Sequence, residues 1–293
     1  MHSLLIWLFL FALCWDCAFS QEESIRHFEC GTPPPAPDTL STIRDLNDKE
    51  VVGSPAVRAR AVAGASKSLV VRTYFHVLTT RAKNGSISRA TMNNQFSILQ
   101  GAYARSDIKF DNQRSDWVDW TVNDAWAQNT DEANMKRTLR KGTYASLNVY
   151  FHTDPAGNLL GKCTMPGGPI QPESPNFYND GCNVATGSLP QGNIGGYNLG
   201  KTTVHEVGHW LGLLHTFEGS SCTGKGDYIA DTPAQASSTD GCPTNSKDSC
   251  PNATGYDPIH NYMDYSFDRC YTEFTPLQGV RMLEMWDSYR MGK

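Results

Sequence analysis

The histidine spacing in residues 205–215, HEVGHWLGLLH, constrains the fold of this chain more than any other stretch. In an α-helix, side chains four residues apart share a face, so His205 and His209 can hold one ion with their imidazole nitrogens. Gly212 lets the backbone leave the helix with a positive φ, and His215 can then return to the same ion. Three histidines with a fourth position open to water predict a catalytic zinc site.

Glu206 follows the first of these histidines directly. At this position a carboxylate reaches a water at the metal rather than the metal itself, as a general base must. The alternative is an ordinary amphipathic helix whose histidines face solvent or are satisfied by hydrogen bonds. That alternative is serious for the HExxH part alone, but Gly212 and His215 make it a poor explanation of the whole string.

Residues 1–20 have the features of a secretory signal peptide. An apolar run from Leu4 to Leu13 is followed by the small residues Ala18 and Ser20, which suit cleavage before Gln21. The run is shorter than the ~20 apolar residues of a membrane-spanning helix. We therefore predict a secreted, extracellular protein with no membrane anchor after the signal is removed.

Secretion determines how the nine cysteines are interpreted. Cys14 and Cys17 leave with the signal peptide. In an oxidising compartment, six of the remaining cysteines are expected to form three disulfides, and Cys30 is the odd one out. Two N-x-[ST] sequons predict glycosylation at Asn84 and Asn252 and fit the same route.

The composition changes near residue 67. Residues 21–66 are proline-rich and then small and polar, a composition that predicts a pro-segment or linker, with Arg58 and Arg60 as processing sites. Residues 67–293 have the patterns of a globular domain. Strands are predicted at 68–78, around 108–120 and at 146–153, and helices at 88–107, 131–142 and 275–290. The net charge of −5, without a basic stripe, gives no indication of nucleic acid binding.

The motif HExxHxxGxxH is the signature of the metzincin metalloproteases, and HNYMDYS supplies the methionine turn that they place below the metal. More narrowly, the chain resembles the pappalysin family, and within it the secreted fungal and bacterial ulilysin-like extracellular metalloproteases. The matching stretches are TTVHEVGHWLGLLHTF, GDYIADTPA, GCPTNSKDSCP and DPIHNYMDYSFDRCYTEFTPLQ. The resemblance covers about 201–281 most strongly and extends upstream to residue 68.

The resemblance implies an α+β fold of the metzincin type. Its upper subdomain, about 67–211, would hold a twisted mixed β-sheet and the zinc-site helix. Its lower subdomain, about 212–293, would be rich in loops, stapled by disulfides and would contain the Met-turn. A substrate would lie extended along an edge strand near residues 158–166.

The resemblance also implies roles for individual residues, some of which have ordinary structural alternatives. His205, His209 and His215 would bind one zinc, Glu206 would be the base, Met263 would form the Met-turn and Tyr265 would stabilise the oxyanion. Met263 is otherwise core filling, and Tyr265 is otherwise a half-buried aromatic residue.

The family further suggests the bridges Cys222–Cys250 and Cys242–Cys270, which leaves Cys163–Cys182 among the fifteen pairings that six cysteines allow. Some relatives bind calcium near GDYIADT, where Asp227, Asp231 and Thr232 offer oxygen ligands; polar loop side chains facing water are the alternative. Cys30 would hold the enzyme latent by binding the zinc, or it is a free cysteine in a discarded segment.

These features predict a monomeric, secreted, zinc-dependent endopeptidase that acts on proteins and peptides, with broad digestion of extracellular protein as its role. One alternative is a metzincin of narrow, regulatory specificity. Another is a non-catalytic zinc-binding or adhesion module on the same fold.

Overall fold

The computed structural model of the protein describes residues 30–51 and 68–293. The predicted signal peptide, Arg58 and Arg60 lie outside the described residues. Within them, the helices are α1 (Pro37–Val51), α2 (Arg89–Tyr103), α3 (Asp124–Ala127), α4 (Glu132–Leu139), α5 (Pro175–Asn179), α6 (Lys201–Trp210) and α7 (Pro276–Tyr289). The strands are β1 (Leu69–Thr79), β2 (Ile108–Asp111), β3 (Val118–Val122), β4 (Leu147–His152), β5 (Gly161–Cys163) and β6 (Cys182–Ala185).

The six strands form one mixed sheet. Five of them follow the order β2-β1-β4-β6-β5, and β3 also pairs with β1. β2 and β3 pair in parallel with successive parts of the same side of β1, and β4 and β6 continue the parallel arrangement. β5 pairs antiparallel with β6 and lies at the edge of the sheet. The predicted α+β fold with a mixed sheet is confirmed, and its edge strand falls within residues 158–166.

The helices α2, α6 and α7 share the main core with the sheet. The residues that predict α2 from their spacing, Met92, Phe96, Leu99 and Tyr103, are all buried there. Tyr103 also donates its hydroxyl to the backbone oxygen of Val204 in α6, at 2.8 Å. The zinc-site helix predicted from the motif is therefore held between a second helix and the sheet.

The chain between α6 and α7 has little regular secondary structure. Two disulfides, Cys222–Cys250 and Cys242–Cys270, lie in this part, and a third, Cys163–Cys182, joins β5 to β6. These are the same pairs that the sequence analysis expected. In the described ranges, no helix is both long and apolar enough to span a membrane.

Helix α1 lies in the segment whose composition predicted a pro-segment or linker. Its side chains Ile43 and Leu46 are buried against Leu214 and Met285 of the domain. The average composition of 21–66 did not reveal this helix, because a stripe of two apolar side chains three residues apart is diluted by the polar residues around it. The local sequence pattern likewise did not predict α5 and β6, since they are short and lie in a stretch rich in Gly, Pro and Asn; an edge strand at β5 was expected only from the family resemblance.

Candidate metal centre

Helix α6 carries His205, Glu206 and His209 and is buried along its whole length from Thr202 to Trp210. The helix ends at Trp210, and Gly212, two residues further on, has a φ of +94°. Leu213 donates its backbone N–H to the oxygen of Gly208 at 2.9 Å across this turn. The chain therefore reverses where the motif requires it.

Gly212 is also required by packing. A Cβ at this position would lie 2.6 Å from Met285 Cγ. Any other residue would thus strain the backbone and collide with α7, and the turn that returns the chain to His215 would be lost.

The imidazoles of His205, His209 and His215 converge. His209 Nε2 lies 3.1 Å from Nε2 of His205 and 3.1 Å from Nε2 of His215. The Nδ1 atoms of His205 and His209 lie 2.7 and 2.8 Å from the backbone oxygens of Tyr262 and Leu213. A carbonyl only accepts, so each Nδ1 carries the proton and each Nε2 presents a lone pair.

Converging imidazole lone pairs are a donor set that fits a divalent metal ion, because without a cation they repel each other. Burial lowers the pKa of His209 to about 4 and also lowers the pKa of His205 and His215 well below the usual value. All three rings are therefore neutral at physiological pH, which is the form that binds a metal.

Cys30 Sγ joins the three histidine nitrogens, and the four atoms lie within 4.8 Å of one another. Among the described residues, this is the one group of three or more His, Cys, Asp or Glu side chains close enough to hold a metal ion. Cys30 is not in a disulfide. Burial, reinforced by the nearby Glu206, raises the pKa of its thiol well above the usual value.

Glu206 is completely buried next to these groups. Its Oε2 accepts a hydrogen bond from Thr32 Oγ1 at 3.1 Å and lies 3.7 Å from Cys30 Sγ. Its Oε1 is buried and has no hydrogen-bond partner. Burial raises the pKa of Glu206 to about 8.

Thr32 was missed by the sequence analysis. It follows Cys30 by two residues, but a threonine in a proline-rich stretch has no local pattern that indicates a contact with Glu206. The contact arises because residues 30–32 lie along β5, and no pattern in the sequence indicates that these two distant stretches meet.

The turn around Met263 supplies the other wall of the site. Met263 is completely buried, and a Cβ on Gly208 would lie 2.5 Å from its Sδ. Met263 therefore packs directly beneath α6. Tyr265 OH lies 3.2 Å from His215 Nε2. The structure thus brings both predicted residues to the histidines.

Asn261 is a second residue that the sequence analysis did not single out. Its side chain exchanges two hydrogen bonds with Gln278 of α7, at 2.8 and 3.1 Å, and its Oδ1 accepts the N–H of Met263 at 2.9 Å. Asn261 thereby ties the turn to α7. Asn261 lies in the string HNYMDYS, and its place in that string was the one sequence signal that could have identified it.

The predicted calcium ligands have other partners in the structure. Asp227 Oδ1 accepts the hydroxyl of Thr232 at 2.7 Å. Asp231 accepts from Thr275 Oγ1 at 2.7 Å and from the N–H of Leu277 at 2.9 Å, at the start of α7. Calcium binding at these residues stays a prediction. The sequon residues Asn84 and Asn252 are both exposed, as glycosylation requires.

Comparison with known proteins identifies the family. Residues 191–287 match the Peptidase M43 family, described as pregnancy-associated plasma protein-A. An extracellular metalloprotease of Sordaria macrospora is 45% identical over 269 residues, which cover 91% of this chain and 90% of that protein. The chain belongs to the pappalysin family. The family resemblance in the sequence is thus confirmed.

Another sequence relative matches in length, and a solved structure matches in fold. An extracellular metalloprotease of Neurospora crassa is 44% identical, with 91% of this chain and 90% of that protein covered. Mature mirolysin of Tannerella forsythia, solved in complex with a cleaved peptide, is 26% identical with a TM-score of 0.62, over 76% of this chain and 93% of that one. The protein is therefore a metalloprotease with the metzincin fold.

Proposed function

We propose that this pappalysin is a secreted zinc endopeptidase, made as a latent precursor, that hydrolyses peptide bonds in extracellular proteins. The observation that carries the proposal is the convergence of three histidine Nε2 atoms beside the buried carboxylate of Glu206. The relatives are named extracellular metalloproteases, which supports secretion and peptidase activity and leaves the substrate open. Broad digestion is our proposal for the role, with narrow specificity as the alternative.

His205, His209 and His215 would hold one zinc ion. Bound there, zinc supplies the positive charge that polarises the scissile carbonyl and acidifies a water molecule. Glu206 accepts the proton of the attacking water and delivers it to the leaving amine. Tyr265 OH, beside His215, is positioned to donate a hydrogen bond to the oxyanion that forms on the carbonyl oxygen.

The substrate is proposed to bind along β5, where residues 30–32 lie in the precursor. Cys30 pairs in parallel with Gly161, and Gly31 donates its N–H to the oxygen of Gly161 at 2.9 Å. Cys163 donates its N–H to Thr32 Oγ1 at 2.9 Å. These are the backbone groups that an extended peptide would use, so substrate and residues 30–32 exclude each other.

The same contacts support latency. Cys30 Sγ lies within 4.8 Å of the three histidine nitrogens, close enough to take the fourth ligand position that the attacking water would need. Thr32 engages the carboxylate of Glu206. Residues Pro33 to Pro35 line a cavity of about 120 Å³ together with His209 and His215. Residues 21–66 are thus proposed to be a pro-segment whose removal opens the site.

Helix α1 supplies a second anchor for this segment. Glu50 Oε1 accepts from Arg281 Nη2 of α7 at 2.7 Å, and both side chains are almost completely buried. Thr39 donates its hydroxyl to the oxygen of Pro166 at 2.9 Å. Neither contact involves the histidines or the chain at 52–67, so cutting the chain in 52–67 would not by itself release residues 30–51.

The test of the activity is hydrolysis of casein by the mature protein, with Glu206→Ala beside it. We expect the wild type to lose activity to a chelator and regain it with zinc. Glu206→Ala should bind one zinc, stay folded and lose activity by about 10²–10⁴-fold, the usual contribution of a general base. A mature, zinc-loaded wild type that cleaves neither casein nor a peptide library would contradict the proposal.

The peptide library also separates the two roles. Cleavage at many unrelated sequences supports broad digestion, and cleavage at one narrow motif supports the regulatory alternative. Metal analysis of the same sample tests calcium, because a stoichiometric calcium ion lost in Asp227→Asn would support the predicted site. A sample without calcium, whose stability calcium does not change, would reject it.

Latency is tested in the full-length precursor. Cys30→Ser is expected to raise its activity or speed its self-processing, because a hydroxyl is a poor zinc ligand in place of a thiolate. Thr42→Ser is a matched control, since Thr42 also lies in the segment but bonds Tyr289 rather than the site. If the Cys30→Ser precursor is as inactive as the wild type, the thiol does not enforce latency.

A further inference from the structure

The edge strand β5 has a glycine directly opposite the carboxylate of Glu206. Gly161 pairs with Val184 of β6. A Cβ built on Gly161 would lie 2.6 Å from both Cγ and Oε1 of Glu206 and 2.8 Å from its Cδ. Cβ atoms do not approach other heavy atoms that closely, so the carboxylate occupies the space that a side chain at this position would fill.

The backbone at Gly161 does not itself require glycine. Gly161 is not among the residues with positive φ, in contrast to Gly212. The three heavy atoms nearest to its built Cβ all belong to Glu206. Contact with Glu206 is therefore the feature of the structure that accounts for a glycine in this strand.

Two kinds of contact hold the carboxylate in the precursor. Oε2 is engaged by Cys30 and Thr32, which belong to the proposed pro-segment. Oε1 is buried without a hydrogen-bond partner and lies against Gly161. Once the pro-segment has left, the backbone of β5 at Gly161 still confines the carboxylate.

We propose that Gly161 is a positioning residue for Glu206: its missing Cβ lets the carboxylate lie against the substrate-binding strand at the correct distance from the three histidines. The inference rests on the proposed role of Glu206 as general base. A methyl group at 161 would push the flexible end of Glu206 toward the cleft. The fold and the histidines would not have to move, so the loss should fall on catalysis.

The experiment compares mature Gly161→Ala with the wild type. We expect kcat to fall about 10–100-fold, since displacement of a catalytic group by about 1 Å can cost that much. KM, zinc content and Tm should stay close to the wild type, because the substrate contacts the backbone of β5. Gly101→Ala is the matched control, since a Cβ there meets nothing within 4 Å. It should leave kcat, KM and zinc content unchanged, and it should raise Tm slightly because alanine favours the helix in which Gly101 lies.

A double-mutant cycle with Glu206→Asp isolates the contact. Aspartate lacks Oε1, one of the two atoms nearest to a Cβ at 161, but keeps Cγ. Glu206→Asp should therefore lower kcat clearly in the wild type and by a smaller factor in Gly161→Ala. The proposal would be overturned if the two substitutions lowered kcat independently, so that the loss in the double variant equalled the product of the two single losses. An unchanged kcat in Gly161→Ala, or loss of zinc from that variant, would also overturn it.

Two further outcomes distinguish a failure of the Gly161 proposal from a failure of the general-base role of Glu206. If Gly161→Ala folds poorly, Glu206→Ala should restore its Tm by removing the collision, and failure to do so would overturn the proposal. If Glu206→Ala alone retains full activity, the general-base role fails, and the Tm of the double variant still reports whether residue 161 and Glu206 compete for space.

Discussion

The parts of the chain before and after Gly212 are stabilised in different ways. The upper region, residues 68–211, contains the whole six-stranded sheet and most of the apolar core. The lower region, residues 213–293, has two short 3₁₀ turns as its only helices before α7 and is crossed by two of the three disulfides. Apolar packing stabilises the first region, and covalent links with buried polar contacts stabilise the second.

The metal centre draws on both regions. His205, Glu206 and His209 come from the last helix of the upper region, whereas His215, Met263 and Tyr265 come from the lower region. The geometry of the site therefore depends on how firmly the loops are held against the helix. The following predictions test that contrast, from the largest expected effect to the smallest.

Phe75→Ala should destabilise the upper region most. Phe75 is completely buried, with ring centroids 5.5 Å from Trp117 and 5.0 Å from Phe151. We expect a loss of about 3–5 kcal/mol in the free energy of unfolding, measured with denaturant, from lost burial and the cavity left behind. Val70→Ala on the same strand is the control, since Val70 is 58% exposed. Equal losses in the two variants would contradict the core as the source of stability.

Removing the Cys242–Cys270 bridge should have the next largest effect, and this effect should fall on the lower region. The two cysteines are 28 residues apart, and a loop of that length implies about 3.5 kcal/mol by the chain-entropy argument. In Cys242→Ser/Cys270→Ser, zinc should be released at a lower denaturant concentration than the sheet unfolds. Cys270 precedes Tyr271, whose hydroxyl donates to the backbone oxygen of Asp264 beside the Met-turn.

The Cys222–Cys250 bridge provides the comparison, because its separation is also 28 residues. Loss of this bridge should lower the stability by a similar amount. Zinc release that coincides with sheet unfolding in both variants would mean that the two regions unfold as one unit.

The response to pH should distinguish the two regions as well. Burial opposes the ionisation of Glu132, but Lys136 and Lys162, at 3.0 and 2.6 Å, outweigh it and lower its pKa from 4.5 to about 2. A lowered pKa stabilises the fold above pH 4.5, and that contribution is lost as the pH falls toward 2. Glu132→Gln should therefore cost about 1–2 kcal/mol at pH 7, after allowance for partial exposure, and nothing near pH 2.

Asp268 in the lower region should behave in the opposite way. Burial raises its pKa from 3.8 to about 7, despite the N–H groups of Leu199 and Lys201. A raised pKa of a carboxyl group means that its contribution is complete below pH 3.8 and is lost as the pH rises through about 7. Unfolding measured from pH 4 to 8 in Asp268→Asn should show a smaller decline than in the wild type. An identical decline would contradict the raised pKa.

Thr275→Ala should have the smallest effect. Thr275 precedes α7 as its N-cap, forms a capping box with Gln278 and also donates its hydroxyl to Asp231. The loss of an N-cap of this kind costs about 1 kcal/mol. A loss well above 2 kcal/mol in thermal unfolding would indicate that the start of α7 supports the lower region beyond its own first turn.

Local patterns predicted the elements whose stability depends on near neighbours in the sequence. The spacing of Met92, Phe96, Leu99 and Tyr103 indicated α2, and the histidine spacing with Gly212 indicated α6 and its end. These inferences succeed because an amphipathic helix repeats its apolar signal every three or four residues, and cap residues mark its ends. β5 and β6 have only three and four residues each, and they exist because they pair with each other and with β4.

The sequence by itself was enough to predict the three histidines and the adjacent glutamate as site residues, the turn at Gly212, and the helices with regular apolar spacing. Only the tertiary structure decided that Thr32 contacts Glu206, 174 residues away, that Glu50 pairs with Arg281, and that Gly161 lies beneath the carboxylate. The physical reason is that these contacts join residues far apart in the chain. Each depends on where the sheet edge and α7 come to lie, and neighbouring residues in the sequence carry no signal of that position.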